Sequence, residues 1–127
     1  AKQVVAVEVN PKFYKILKQN INLFNGKVTP ICLFVDSPEI IEMLIETYHP
    51  DIVKVDIEGD EIHFIKMNNE IFQKVKEYIF ELHEGYTGII CKIEDIRQKL
   101  KINNYEILKD ERIFNWIISA RKKSSNV

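Results

Sequence analysis

Alternation limits the fold of this chain more than any other feature. Short runs rich in β-branched residues, 3–9 (QVVAVEV), 28–35 (VTPICLFV), 52–57 (IVKVDI) and 78–82 (YIFEL), are separated by segments whose apolar residues recur at helical spacing. Asn10-Pro11 ends the first run, and Phe13, Ile16, Leu17, Ile21 and Phe24 then trace the apolar side of an amphipathic helix closed by Asn25-Gly26. Ser37-Pro38-Glu39 supplies an N-cap, a proline at the first helical position and an acid in the first turn. The helix it opens runs to about Tyr48, buries Ile40, Ile41, Leu44 and Ile45, and is broken by His49-Pro50-Asp51. Shorter helical pieces follow around Ile62 and Ile65 and around Ile71 and Val75, and Ile93, Ile96 and Leu100 mark a last helix. The final apolar runs, 105–108 and 113–120, leave only residues 109–112 between them, which predicts an antiparallel hairpin turning there. The order βαβαβαβαββ predicts an α/β fold. Its sheet is mostly parallel, with helices on both faces and an antiparallel hairpin at the C-terminus.

At 127 residues the expectation is one domain over 1–120 followed by a polar tail, 121–127. Lys plus Arg is 18 and Asp plus Glu is 19, so a formal charge of -1 supplies no basic excess for a phosphate backbone, and nucleic acid is not expected as a partner. No apolar stretch approaches the roughly 18 residues of a membrane span, and no signal peptide is visible, so no membrane association and a cytoplasmic location are expected. Cys32 and Cys91 stand far apart in apolar surroundings, read as reduced, buried thiols. The four glycines, Gly26, Gly59, Gly85 and Gly88, form neither a GxGxxG turn nor a Walker loop, so a nucleotide-type ligand would be held without a glycine cradle.

Ligands of an open parallel sheet bind beyond the carboxyl ends of its strands, which singles out Glu8, Asp36, Asp56, Glu58, Glu81, His83 and Glu84. A carboxylate ending the first strand can accept both hydroxyls of a ribose, although Glu8 could equally be a solvated strand end or a partner of Lys12. Asp56, Glu58 and Glu61 surround one glycine and repel one another unless a cation lies among them. A divalent ion, a ligand ammonium or Lys54 would serve, but helix capping also explains acids in that position. His83, in ELHEGY, could act as a base or simply bond to Glu81. Capping accounts for Asp36.

Together VVAVEVNP, DIVKVDIEGDEIHFIK and YIFELH, at these separations, resemble the FkbM-type family of S-adenosylmethionine-dependent methyltransferases. The resemblance runs from about Val4 to Ser119. Residues 54–61 (KVDIEGDE) look like the family's K-[IV]-D-[IV]-E-G-x-E signature, Glu8-Val9-Asn10-Pro11 looks like its E-P-N-P turn, and Phe80-Glu81-Leu82-His83 looks like its strand-end E-x-H pattern. It implies a Rossmann-like class I methyltransferase sheet and S-adenosylmethionine as cofactor, bound by Glu8 at the ribose, Asn10 and Asp56. Asp56, Glu58 and His83 become the candidate catalytic groups, and Glu81 and His83 the substrate-side groups. No metal is assigned. The implied reaction is O-methylation of a small-molecule or sugar hydroxyl.

The same resemblance implies that the family's first strand and its glycine-rich turn are missing here, either because the chain is the C-terminal part of a longer protein or because it is a non-catalytic relic serving as an interaction or scaffold module. A receiver-type phosphoacceptor domain fits the length, yet it needs an acidic pair where only Glu8, followed by Val9, stands. Without a central strand, runs 3–9 and 52–57 face each other with open edges. Direct pairing of the two is the expected closure, and homodimerisation through an open edge is the alternative.

Overall fold

The computed structural model describes residues 2–57, 61–82, 93–113 and 115–124. These fall into two compact units, Ala1–Val35 and Asp36–Val127.

In the first unit β1 (Val4–Glu8) runs parallel to β2 (Val28–Cys32), with Val4 opposite Val28 and Glu8 opposite Cys32. Between them lies α1 (Pro11–Asn20), which starts where Asn10 Oδ1 accepts the Lys12 N–H at 2.9 Å and proline takes the first helical position. The helix tightens into a 3₁₀ turn, Ile21–Phe24, and ends at Asn25 and Gly26, both left-handed with φ of 53° and 70°. The expected burial of its apolar positions is only partly met. Leu17 and Ile21 are half-buried, whereas Phe13 and Ile16 are 58% and 51% exposed. Cys32, the last residue of β2, is likewise exposed, contrary to the expected buried thiol; Cys91 lies outside the described residues.

The second unit is built on a four-stranded mixed sheet in the order β3-β4-β6-β5, comprising β3 (Ile52–Val55), β4 (Glu77–Leu82), β5 (Tyr105–Arg112) and β6 (Trp116–Lys122). β3 and β4 are parallel; the other two ladders are antiparallel. Helix α2 (Pro38–Tyr48) is capped by Ser37 Oγ, which accepts the Ile40 N–H, and closes on His49 at φ 46°. Two single-turn helices, α3 (Ile62–Ile65) and α4 (Asn69–Phe72), cross from β3 to β4, and α5 (Ile93–Ile102) leads into the hairpin. The expected direct pairing of β1 with β3 does not occur. The strands divide between two sheets, and each takes its ladder from its own crossover neighbour.

The hairpin also differs from the expectation. Residues 109–112 are strand, and β5 ends only at Arg112, paired with Trp116 at the start of β6. Lys109, Asp110, Glu111 and Arg112 lie on the outer strand of the sheet, where charged side chains can reach water while the backbone still pairs, after a bulge between Ile107 and Lys109.

The core of this unit is aromatic. Phe72, fully buried, stacks on Tyr78 at 4.3 Å between ring centres, and Phe64 meets Phe80 edge-on at 5.7 Å. The Phe72 carbonyl, at the end of α4, accepts from the hydroxyls of both Tyr78 and Tyr105 at 2.9 Å, and Tyr105 also lies against the Val75 carbonyl. Burial pushes both phenols well above their ordinary range, so both remain donors. The Lys99 ammonium, buried beside Phe72, donates to the Met67 carbonyl and Asn69 Oδ1 at 2.6 and 2.7 Å; desolvation lowers its pKa. On the outside, Arg97 clamps Asp110 through Nε and Nη2, lies over Trp116, and Trp116 Nε1 donates to the same carboxylate.

Two outcomes follow from this packing. Tyr105→Phe removes the single phenol proton that the Phe72 and Val75 carbonyls share and should cost about 1–3 kcal/mol, while Tyr78→Phe costs less because that shared proton can still turn to Phe72; urea unfolding measures both. The Arg97 and Trp116 bonds hold the Asp110 carboxyl below its ordinary value of 3.8. Its contribution is therefore complete above that value and lost as pH falls through the lowered folded one. The stability gap between wild type and Asp110→Asn, read from urea midpoints, should be open near neutral pH and close in acid.

Candidate functional site

The residues singled out at strand ends fall on both units. In the first, Glu8 is the last residue of β1 and half-buried; its Oε1 accepts the Asn10 N–H at 3.0 Å. The β1–α1 turn is thereby closed twice, by Glu8 on the Asn10 amide and by Asn10 on the Lys12 amide. A carboxylate fixed this way by one oxygen is already ordered before a diol arrives, which removes part of the entropic cost of binding. Asn10 spends its side-chain oxygen on the helix cap, so capping accounts for it.

In the second unit, Val55 pairs with Phe80 in the parallel ladder. Asp56 is the first residue past the end of β3, and Glu81 follows Phe80 within β4. Glu81 lies on the face of β4 opposite the buried Phe80 and Leu82. Asp56 is exposed and Glu81 half-buried. Glu81 Oε1 accepts from Asn115 Nδ2 at 2.9 Å. Asn115 was missed by sequence reasoning, because placing the hairpin turn at 109–112 put it inside a strand. The signal available was the left-over polar residue in IFNW, between the two runs. Glu61 is buried at the head of α3, and Asp36 precedes the Ser37 cap. Glu58, His83 and Glu84 lie outside the described residues. Among the described residues no three His, Cys, Asp or Glu side chains gather as a metal-binding set, and no helix is long and apolar enough to cross a membrane.

Glu81 on β4, oriented by an amide, and Asp56 just past the end of β3 are each able to accept hydrogen bonds from an ammonium or hydroxyl, or take up a proton. Glu8 suits a vicinal diol.

No protein-family model matches the chain, and no curated protein does. Solved structures match its fold. The fibrillarin pre-rRNA processing protein of Methanococcus jannaschii superposes with a TM-score of 0.62 at 11% identity, over 94% of this chain and 56% of that one. The ribosomal protein L11 methylase of Lactobacillus delbrueckii subsp. bulgaricus gives 0.58 at 19% identity, over 97% and 60%. A chain of a fibrillarin/Nop5p complex gives 0.62 at 18% identity, over 95% and 61%. The chain thus spans about three fifths of the length of these structures. The likeness establishes the α/β Rossmann-like fold expected from the strand and helix order.

The site geometry predicts a measurable coupling. In a double-mutant cycle of Glu81→Gln with Asn115→Ala, followed by urea unfolding, the pair should show an interaction of about 1–2 kcal/mol. Additive single effects would mean that Asn115 does not hold the carboxylate.

Proposed function

We propose that this chain belongs to an S-adenosylmethionine-dependent methyltransferase of the FkbM kind, which methylates a hydroxyl oxygen of a small molecule or sugar. The observation that carries this reading is Glu8, a carboxylate ordered at the end of a parallel strand, in a chain whose fold matches a ribosomal protein methylase and fibrillarin. The sequence resemblance supports it through residues 54–61.

The fit of the cofactor to the residues present is uneven. Glu8 suits the ribose hydroxyls, and Asp56 suits the cationic methionine end, where a carboxylate balances both ammonium and sulfonium charge. Among the described residues no glycine turn wraps the methionine end. When bound, the cofactor supplies an electrophilic methyl group. The protein's own part is positioning and proton handling: Glu8 orients the ribose, Glu81 orders the acceptor side with Asn115 behind it, and His83 removes the hydroxyl proton, with Asp56 as the reserve base.

Calorimetric titration of the chain with S-adenosylhomocysteine tests the reading. Glu8→Ala should weaken binding about tenfold to a hundredfold, the loss of a charged hydrogen-bond pair, without changing thermal stability to match. With no glycine turn for the methionine half, binding by the wild-type chain should itself be weak, and equal binding by Glu8→Ala would overturn the reading.

A further inference from the structure

The formal charge of -1 conceals a division. Residues 1–35 carry five lysines and one glutamate, a charge of +4, and residues 36–127 carry the balancing -5. Charge asymmetry of this kind marks an electrostatic surface that the total hides.

The lysines are concentrated on α1, PKFYKILKQN, which contains no acidic residue. At 3.6 residues per turn, Lys12, Lys15 and Lys18 span an arc of about 120° along one side of the helix. All three are exposed, and among the described residues no carboxylate pairs with any of them. In the second unit, by contrast, Lys74 is neutralised by Glu46, Lys76 by Asp51 and Arg121 by Glu77. Lys12 also lies in the first turn, where a cation opposes the helix dipole. The Lys18 ammonium lies 5.6 Å from the centre of the Tyr14 ring, and Tyr14, Lys15, Lys18 and Gln19 line a shallow cleft.

We propose that this side of α1 is a docking surface for single-stranded RNA, with Lys12, Lys15 and Lys18 on successive phosphates and Tyr14 offering a face to a base. Unpaired lysines interleaved with an aromatic ring are the combination that follows a single-stranded backbone without reading sequence. An anionic membrane is the less suitable partner. It would engage the exposed Phe13 and Ile16 beside the lysine arc and would have no use for the Tyr14 ring against Lys18, and vesicle binding is accordingly one of the outcomes tested below. The choice of RNA over DNA rests on the methyltransferase reading above, since RNA carries a free hydroxyl on every internal sugar.

Fluorescence anisotropy of a labelled 20-nucleotide RNA of mixed sequence, titrated with the chain at several salt concentrations, provides the test. Lys15→Gln/Lys18→Gln should bind about tenfold more weakly and lose about 1.4 from the slope of log K against log salt, at 0.7 per phosphate contact. Lys74→Gln/Lys76→Gln, whose cations are already paired, should bind as wild type does. The proposal is overturned by salt-independent or absent binding, by an unchanged Lys15/Lys18 variant, by an equal loss in the Lys74/Lys76 variant, or by tighter binding to phosphatidylserine vesicles. Cofactor titration reads the methyltransferase proposal separately. RNA binding with cofactor binding that Glu8→Ala leaves unchanged would sink that reading alone, and Glu8-dependent cofactor binding without RNA binding would sink this one.

Discussion

One carbonyl organises the larger unit. The Phe72 C=O ends a helix of four residues, too short to sustain itself by backbone bonding. In the core, away from water, its one backbone donor is the Val75 N–H, at a long 3.5 Å. Tyr78 from β4 and Tyr105 from β5 both donate to it, while the Phe72 ring stacks on Tyr78. A local deficiency thereby becomes a tie between α4 and two strands far apart in sequence. Lys99 extends the same logic from α5, its buried ammonium satisfying the Met67 carbonyl and Asn69.

That tie sets the level of the candidate acceptor-side groups. With Tyr78 inward, strand alternation turns Phe80 and Leu82 inward as well and leaves Glu81 on the other face. The pairing of Glu81 with Ile117 then brings the start of β6 close enough for Asn115 to reach the carboxylate. Core packing and site geometry are here the same arrangement seen from two faces of one strand.

The elements legible in the sequence were those with a strong local signal: the Ser37-Pro38 cap, the left-handed close at Asn25-Gly26, and the β-branched runs. What escaped was decided by partners. Residues 109–112 look like a turn by polarity alone, yet Arg97 and the edge position make them strand. The periodicity of α1 correctly predicted a helix but overstated its burial, since spacing shows that residues share a face and not that anything covers it. Glu8 was legible as a strand-end acid, and the Asn10 amide that orders it was not, because a bond to the backbone leaves no trace in residue identity.

The apolar and basic sides of α1 carry different consequences. Among the described residues of Ala1–Val35 none is fully buried, although parallel strands such as β1 and β2 ordinarily require cover on both faces. A pair of five-residue strands with one helix has too little buried surface to be stable alone. Phe13 and Ile16, three residues apart on α1, leave an exposed apolar line on this unit. The lysine arc lies beside that line and not across it, so apolar cover and a polyanion can engage the same helix without competing for residues.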